Sequence, residues 1–338
     1  MPDDSERLLA LVADCLREGS TMAIVGHGSK VRYGAPDGEV RLSTSEHSGI
    51  VDYRPEELVV TALAGTSLAD LTSELAEQGQ ILPFDPPRYG GVGTLGGAVA
   101  SGLSGPARPW RGSVRDAVLG VEIVNGRGQR LRFGGSVMKN VAGYDVSRLM
   151  TGAWGTLGVI LSASVRLLPA PESEETFCRA CSAAEAGELN RRWARAPLPI
   201  TGTCHVGGVL HVRLSGSAMG VASARDEMGL RETGDPDIWA AARDHGHAFF
   251  ETDGTVTRLT LPRGCRFDDE SALIEWAGCQ AWLHGEPEDL PDGTQATVLM
   301  PGERTQRRPA ADAATAKYTA RIKDAFDPHG IFNPGMNG

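Results

Sequence analysis

The chain has 338 residues, 41% of them hydrophobic, and a formal net charge of −10 from 33 basic and 43 acidic side chains. That length gives room for two domains with their own cores, while the acidic balance and the absence of a basic block argue against a nucleic-acid partner. No apolar run reaches the length of a membrane span, and the acidic N-terminus opens a helix rather than a secretory signal.

A helix is predicted over 5–18, with Leu8, Leu11, Val12, Cys15 and Leu16 on one face and Gly19 as its stop. Residues 21–25 read as a strand that runs into the loop Gly26-His27-Gly28-Ser29-Lys30. Further strands are expected at 40–42, 49–52 and 58–62. Ser67 is placed to cap a helix that carries Leu68, Leu71 and Leu75 on one face and stops at Gly79. A proline-rich loop over 82–87 leads into YGGVGTLGGAVASGLSG at 89–105. Residues 118–124 and 129–133, joined by Asn125-Gly126-Arg127-Gly128, form a hairpin pattern. A second glycine-rich stretch over 141–158 runs into a strand at 159–168, ended by Pro169 and Pro171. Those prolines and the acids after them mark a domain boundary.

Beyond that boundary the pattern is mixed. Strands are expected at 209–214, 256–261 and 296–300, and helices near 183–194 and 238–244, so the second domain reads as α+β. A helix over 311–325 then breaks at Asp327-Pro328. The expected division is a first domain at 1–170, a smaller α+β domain at 171–305, and a helix and tail at 306–338 that pack back on the first. The six cysteines are scattered. Cys178 and Cys181 form one C-x-x-C without the second pair that a zinc or cluster site needs, so no metal is expected.

Glycine loses more freedom on folding than any other residue, so a run as rich as 89–105 implies close approach of backbone to something, such as a pyrophosphate. A Rossmann site is a poor fit, because the run follows a proline loop rather than an apolar strand. The G-x-x-x-x-G-K-[ST] phosphate loop is absent. Three glycine loops, at 26–30, 90–105 and 143–158, suit one extended cofactor instead. No carboxylate pair or Ser–His–Asp set stands out for acid–base or nucleophilic work. Arg88 and Arg111 have the chemistry to hold a substrate carboxylate, or stand as surface residues. Asp145 and Arg148 suit an i, i+3 ion pair.

The strings GTLGG at 93–97, SGLSG at 101–105, RDAVLG at 115–120, KNVAGYD at 139–145, GTLG at 155–158 and FDPHGIFNPG at 326–335 resemble the FAD-binding domain and tail of the vanillyl-alcohol-oxidase and p-cresol-methylhydroxylase (PCMH) superfamily. Within it, KNVAGYD, the loop at 82–87 and the length are similar to the FAD-binding E subunits of glycolate oxidase. The resemblance implies an α+β fold: a two-subdomain PCMH-type FAD-binding domain, a smaller α+β cap domain and a returning C-terminal tail. It implies FAD with its pyrophosphate along Gly26, His27, Gly28, Ser29, Lys30 and Thr94, Leu95, Gly96, Gly97. Pro83, Asp85, Pro86, Gly93, Ser101, Gly102, Ser104, Gly105 and Gly112 would line the same groove. Gly155, Gly158, Val159 and Ile160 would lie on the adenosine side, and Asn333 would approach from the tail.

Some members of the superfamily attach FAD to a histidine in the first loop. His27 lies one position early for that, so non-covalent binding is expected. Related hydroxy-acid dehydrogenases hold a metal on a histidine motif that CHVGGVLH at 204–211 matches only in His205 and His211, without its acidic and amide members. The implied function is the FAD-binding subunit of a complex that oxidises glycolate, a 2-hydroxy acid, to glyoxylate. Its implied partners are a homologous FAD-binding catalytic subunit and an iron–sulfur subunit. The implied location is cytoplasmic, at the inner membrane face through the complex. Alternative readings are a self-sufficient FAD hydroxy-acid or alcohol oxidoreductase, an NADPH-dependent FAD reductase, and a non-catalytic assembly subunit.

Overall fold

The computed structural model describes residues 3–135, 145–300, 305–307 and 311–336. Of the KNVAGYD string, residues 139–144 lie outside the described residues. The chain divides into two compact units. One comprises Met1–Leu103, Gly112–Ala170 and Ala310–Gly338, and the other Ser104–Arg111 and Pro171–Pro309.

In the first unit, helix α1 (Ser5–Glu18) buries Leu8, Val12 and Cys15 and ends at Gly19, whose φ of +71° only glycine adopts at no cost. It covers strands β1 (Met22–Val25) and β2 (Val40–Ser43), which pair in parallel. Their shared core includes Leu42, Val124, Leu161 and, from the far end of the chain, Ile331 and Phe332. Strands β3 (Ile50–Arg54) and β4 (Val59–Leu63) lead to helix α2 (Leu68–Glu77). Ser67 caps α2 by accepting the amides of Ala69 and Asp70. Leu68, Leu71 and Leu75 are buried as the periodicity requires, each worth about 1.5–3 kcal/mol of apolar burial.

The glycine run contains a helix, α3 (Leu95–Ser101), which glycine's poor helix propensity hides from a sequence reading. The expected hairpin forms between β5 (Val118–Val124) and β6 (Arg130–Gly134). Asn125 Oδ1 closes its turn by accepting the amides of Arg127 and Gln129. Strand β7 (Val159–Arg166) completes a five-stranded sheet in the order β3-β4-β7-β5-β6. A large core lies between this sheet and α2 and α3. Asp145 and Arg148 pair at 3.4 Å, and Asp145 also caps the helix Val146–Met150.

The second unit is built on a nine-stranded sheet that includes Ser173–Ala180, Val209–Gly216, Ile200–Val206 and Val256–Thr260. Helices Ala183–Trp193 and Ala218–Met228 bury one side of each against its Phe177, Leu210, Val212 and Leu214. Strands Ile200–Val206 and Gln280–His284 and helix Ala218–Met228 carry no clear period, and the sequence reading passes over them. Ser104–Arg111 clusters here because Trp110 packs against this unit's core and Trp276 Nε1 donates to Gly105 O at 2.9 Å.

Candidate functional site

A groove of about 790 Å³, mouth included, opens in the first unit where β1, α3, the end of the second glycine stretch and the C-terminal tail meet. Its floor is the loop after β1. Gly26 is tightly packed: a Cβ there would stand 2.7 Å from Thr94 Oγ1, so the Thr94 side chain would have to shift. The amides of His27, Gly28 and Ser29 meet no acceptor of the chain among the described residues. The Lys30 side chain lines the same surface, its Nζ 3.5 Å from Ser29 Oγ. Consecutive unused amides beside an ammonium make a concavity for an anion such as pyrophosphate. The exposed His27 ring donates from Nδ1 to Val92 O at 2.6 Å, which fixes its orientation.

The second wall is α3. Its first amides are not available to an anion: Leu95 donates to Thr66 O, Gly96 to Ala64 O and Gly97 to Thr94 Oγ1. Gly96 also serves a packing contact. A Cβ on Gly96 would stand 2.7 Å from Ala64 Cβ and 2.9 Å from Ala64 O. The helix thus presses onto the turn after β4 and offers Thr94, Gly96, Gly97, Ala100 and Ser101 to the groove.

The third wall carries Trp154, Gly155, Gly158 and Ile160, with Asn333 and Met336 from the tail. Trp154 has a φ of +52°, a conformation costly for a bulky residue. Its ring packs against Tyr33, which in turn packs against Tyr89, with centroids 5.9 Å apart in each pair. Asn333 Oδ1 accepts the Ile24 amide at 2.6 Å, and its Nδ2 donates to Trp154 O at 2.7 Å.

Of the residues expected to hold the cofactor, Gly26, His27, Gly28, Ser29, Lys30, Thr94, Gly96, Gly97, Ser101, Gly155, Gly158, Ile160 and Asn333 line the groove. Pro83, Asp85, Pro86, Gly93, Leu95, Gly102, Gly112 and Val159 belong to the same unit but are not among its lining residues, and Ser104 and Gly105 belong to the second unit. Thr44, Ala64, Trp154 and Met336 also line it and escaped the sequence reading. Of these, Trp154 alone carried a signal, as the aromatic inside a glycine loop.

Of the expected substrate-side residues, Arg88 shares the groove's unit without being among its lining residues, and Arg111, His205 and His211 belong to the second unit. Arg88 Nη2 donates to Thr72 Oγ1 at 2.9 Å. Arg111 pairs with Glu174 and bonds Ser215 within the second unit. His205 is buried and donates from Nε2 to Cys181 O. The strand register pairs Cys204 with His211 and His205 with Leu210, which puts the two histidines on opposite faces of the sheet. They cannot bind one ion together. Burial, then the neighbouring His247, holds His211 below the ordinary imidazole range, and burial pushes the Cys204 thiol well up.

A family model described as an FAD binding domain matches residues 1–134. Glycolate oxidase subunit GlcE of Escherichia coli (strain K12) is 40% identical over 98% of this chain and 97% of its own length. The chain belongs to the GlcE family of glycolate oxidase subunits. Like this family it is a flavoprotein subunit, an oxidoreductase whose cofactor is FAD. Glycolate oxidase subunit GlcD of Bacillus subtilis (strain 168) is 29% identical over 52% of this GlcE-family chain and 38% of that protein. D-lactate dehydrogenase of Anaerostipes hadrus is 34% identical over 40% and 28% respectively. Among solved structures, alkyldihydroxyacetonephosphate synthase superposes with a TM-score of 0.72 at 15% identity, over 99% of this chain and 76% of that one. The fold is that of PCMH-type FAD-binding proteins. Among the described residues, no helix is long and apolar enough to cross a membrane.

Proposed function

We propose that this chain is the FAD-carrying subunit of an assembly that oxidises the CH–OH group of glycolate to glyoxylate, and that it relays electrons rather than oxidising the substrate itself. The full-length likeness to GlcE carries the assignment to the assembly. The groove carries the cofactor part: the His27–Ser29 amides and Lys30 hold the pyrophosphate, and α3 and the Trp154–Ile160 wall enclose the rest. FAD accepts and gives up electrons. The chain's own residues bind it, orient it and keep water from it.

The relay role rests on what the groove lacks. Among its described lining residues, His27 and Lys30 are the titratable groups, and both sit in the anion-binding loop. Arg88, Arg111 and His205 are bonded to Thr72, Glu174 and Cys181 O. Substrate oxidation then falls to a homologous FAD-binding partner, and onward transfer to an iron–sulfur partner, because the described residues hold no cluster of metal-ligating side chains. The complex would sit at the cytoplasmic membrane face through those partners.

The test is anaerobic. The purified chain, loaded with FAD, is mixed with glycolate, D-lactate or NADPH while the visible flavin band is followed. The band is expected to persist with all three and to bleach with glycolate once the partner subunits are added. Bleaching of the isolated chain by a hydroxy acid would make it a self-sufficient oxidoreductase.

A further inference from the structure

Asn333 lines the groove, yet its side-chain amide is spent on the protein. Oδ1 takes the Ile24 amide at 2.6 Å, and Nδ2 reaches Trp154 O at 2.7 Å and Ile24 O at 3.4 Å. Only this orientation of the amide satisfies all three groups. Its backbone joins the same stitch, since Asn333 N donates to Met22 O at 2.9 Å and Phe332 bridges Met22 in parallel. Gly155 permits the approach, because a Cβ there would stand 2.5 Å from Asn333 Nδ2. One side chain therefore ties β1, which leads into the anion loop, to Trp154, which stands on the opposite wall at a φ of +52°. The Trp154 amide in turn donates to Ala100 O at 2.8 Å.

We propose that Asn333 is a positioning residue for the cofactor: it latches Trp154 in its left-handed conformation as the aromatic wall of the groove, so that FAD retention depends on the C-terminal tail. The proposal rests on FAD occupying this groove. Asn333 needs no contact with FAD itself. Trp154 presents its ring to the ligand, and Asn333 holds the backbone that aims it. The tail is anchored independently, by Asp327 accepting the amides of Ile331 and Phe332 and by Lys323 donating to Asp327, to Thr156 O and to Phe332 O.

The test is a double-mutant cycle on the full chain, with FAD affinity read from flavin fluorescence at a temperature where near-ultraviolet dichroism shows every variant folded. Asn333→Ala is expected to weaken FAD at least about tenfold, a loss of ~1.4 kcal/mol. Trp154→Gly removes the ring and adopts the positive φ without strain, so it should weaken FAD comparably. The double variant should then bind no worse than Trp154→Gly alone, because the latch has nothing left to hold. Equal affinity of folded Asn333→Ala and the parent chain, or additive losses in the double variant, would overturn the proposal. If Asn333→Ala does not fold, Asn333→Asp takes its place under the same criteria, since it keeps an acceptor for Ile24 and loses the donor to Trp154. Lys30→Ala separates the two layers. If Lys30→Ala and Trp154→Gly both leave FAD binding intact, the groove is not the FAD site. If both weaken it and Asn333→Ala does not, the latch alone fails.

Discussion

Lys323 Nζ lies 2.5 Å from Asp327 Oδ2, with the carboxylate side chain fully buried and the lysine 18% exposed. The acid also receives the amides of Ile331 and Phe332, so one carboxylate turns the chain from the C-terminal helix Ala313–Phe326 into the tail that runs beside β1. The desolvation of this pair is offset by those amides and by Thr156 O. Removing one member leaves the other uncompensated. Asp327→Ala is expected to destabilise the protein by about 3–5 kcal/mol, read by urea denaturation. Replacing both with Met and Leu should cost much less than the sum of the single changes.

Lys30 supplies the positive charge beside the His27–Ser29 amides. Lys30→Ala should weaken FAD by roughly ten- to a hundredfold, the worth of a charge-assisted hydrogen bond of ~1.5–3 kcal/mol. Thermal unfolding of the cofactor-free protein should hardly move. A titration at two ionic strengths checks the mechanism, since the parent should lose affinity with salt and the variant much less.

Gly96 packs on Ala64 with no room for a methyl group. Gly96→Ala is expected to destabilise by about 1–3 kcal/mol through overpacking, despite alanine's better helix propensity. Gly97→Ala at the neighbouring position meets Thr94 Oγ1 at 3.0 Å and should cost less. Chemical denaturation of the two variants side by side tests whether contact or propensity governs α3.

His47 is fully buried, and its Nδ1 accepts the Asp4 amide at 3.0 Å, tying the start of α1 to the turn beside Thr44 and Gly65. Burial lowers its pKa below the ordinary 6.5, with nearby Asp3 opposing. The unfolded chain therefore binds the proton more readily. The stability this residue contributes is present above about pH 6.5 and is lost as pH falls below it toward the lowered value. His47→Asn should flatten the acid side of the stability profile below about pH 6.5, measured by thermal unfolding across the acid range.

Local rules made much of the fold legible. Ser67 with Leu68, Leu71 and Leu75, and Asn125 in its hairpin turn, are where sequence spacing predicts them, because capping and turn chemistry act within a few residues. The loop Gly26–Lys30, singled out by its glycines, lines the groove. The packing of Gly96 was not legible: it presses on Ala64, a contact some thirty residues back in the chain. His205 and His211 look like a pair in the sequence, and the register of two strands separates them. Residues 104–111 fall inside the first domain expected at 1–170, yet Trp110 and Gly105 bind them into the other unit.

By itself the sequence determined the class of cofactor, the capped helices and the hairpin, and it marked the glycine loop after β1 as a candidate anion site. These follow from local backbone chemistry and from strings long enough to mark a family. Only the tertiary structure decided that Gly96 packs on Ala64 and that Asn333, 309 residues from Ile24, bonds β1 beside the groove. Such pairings depend on packing across the core, which leaves no period or spacing in the chain to read.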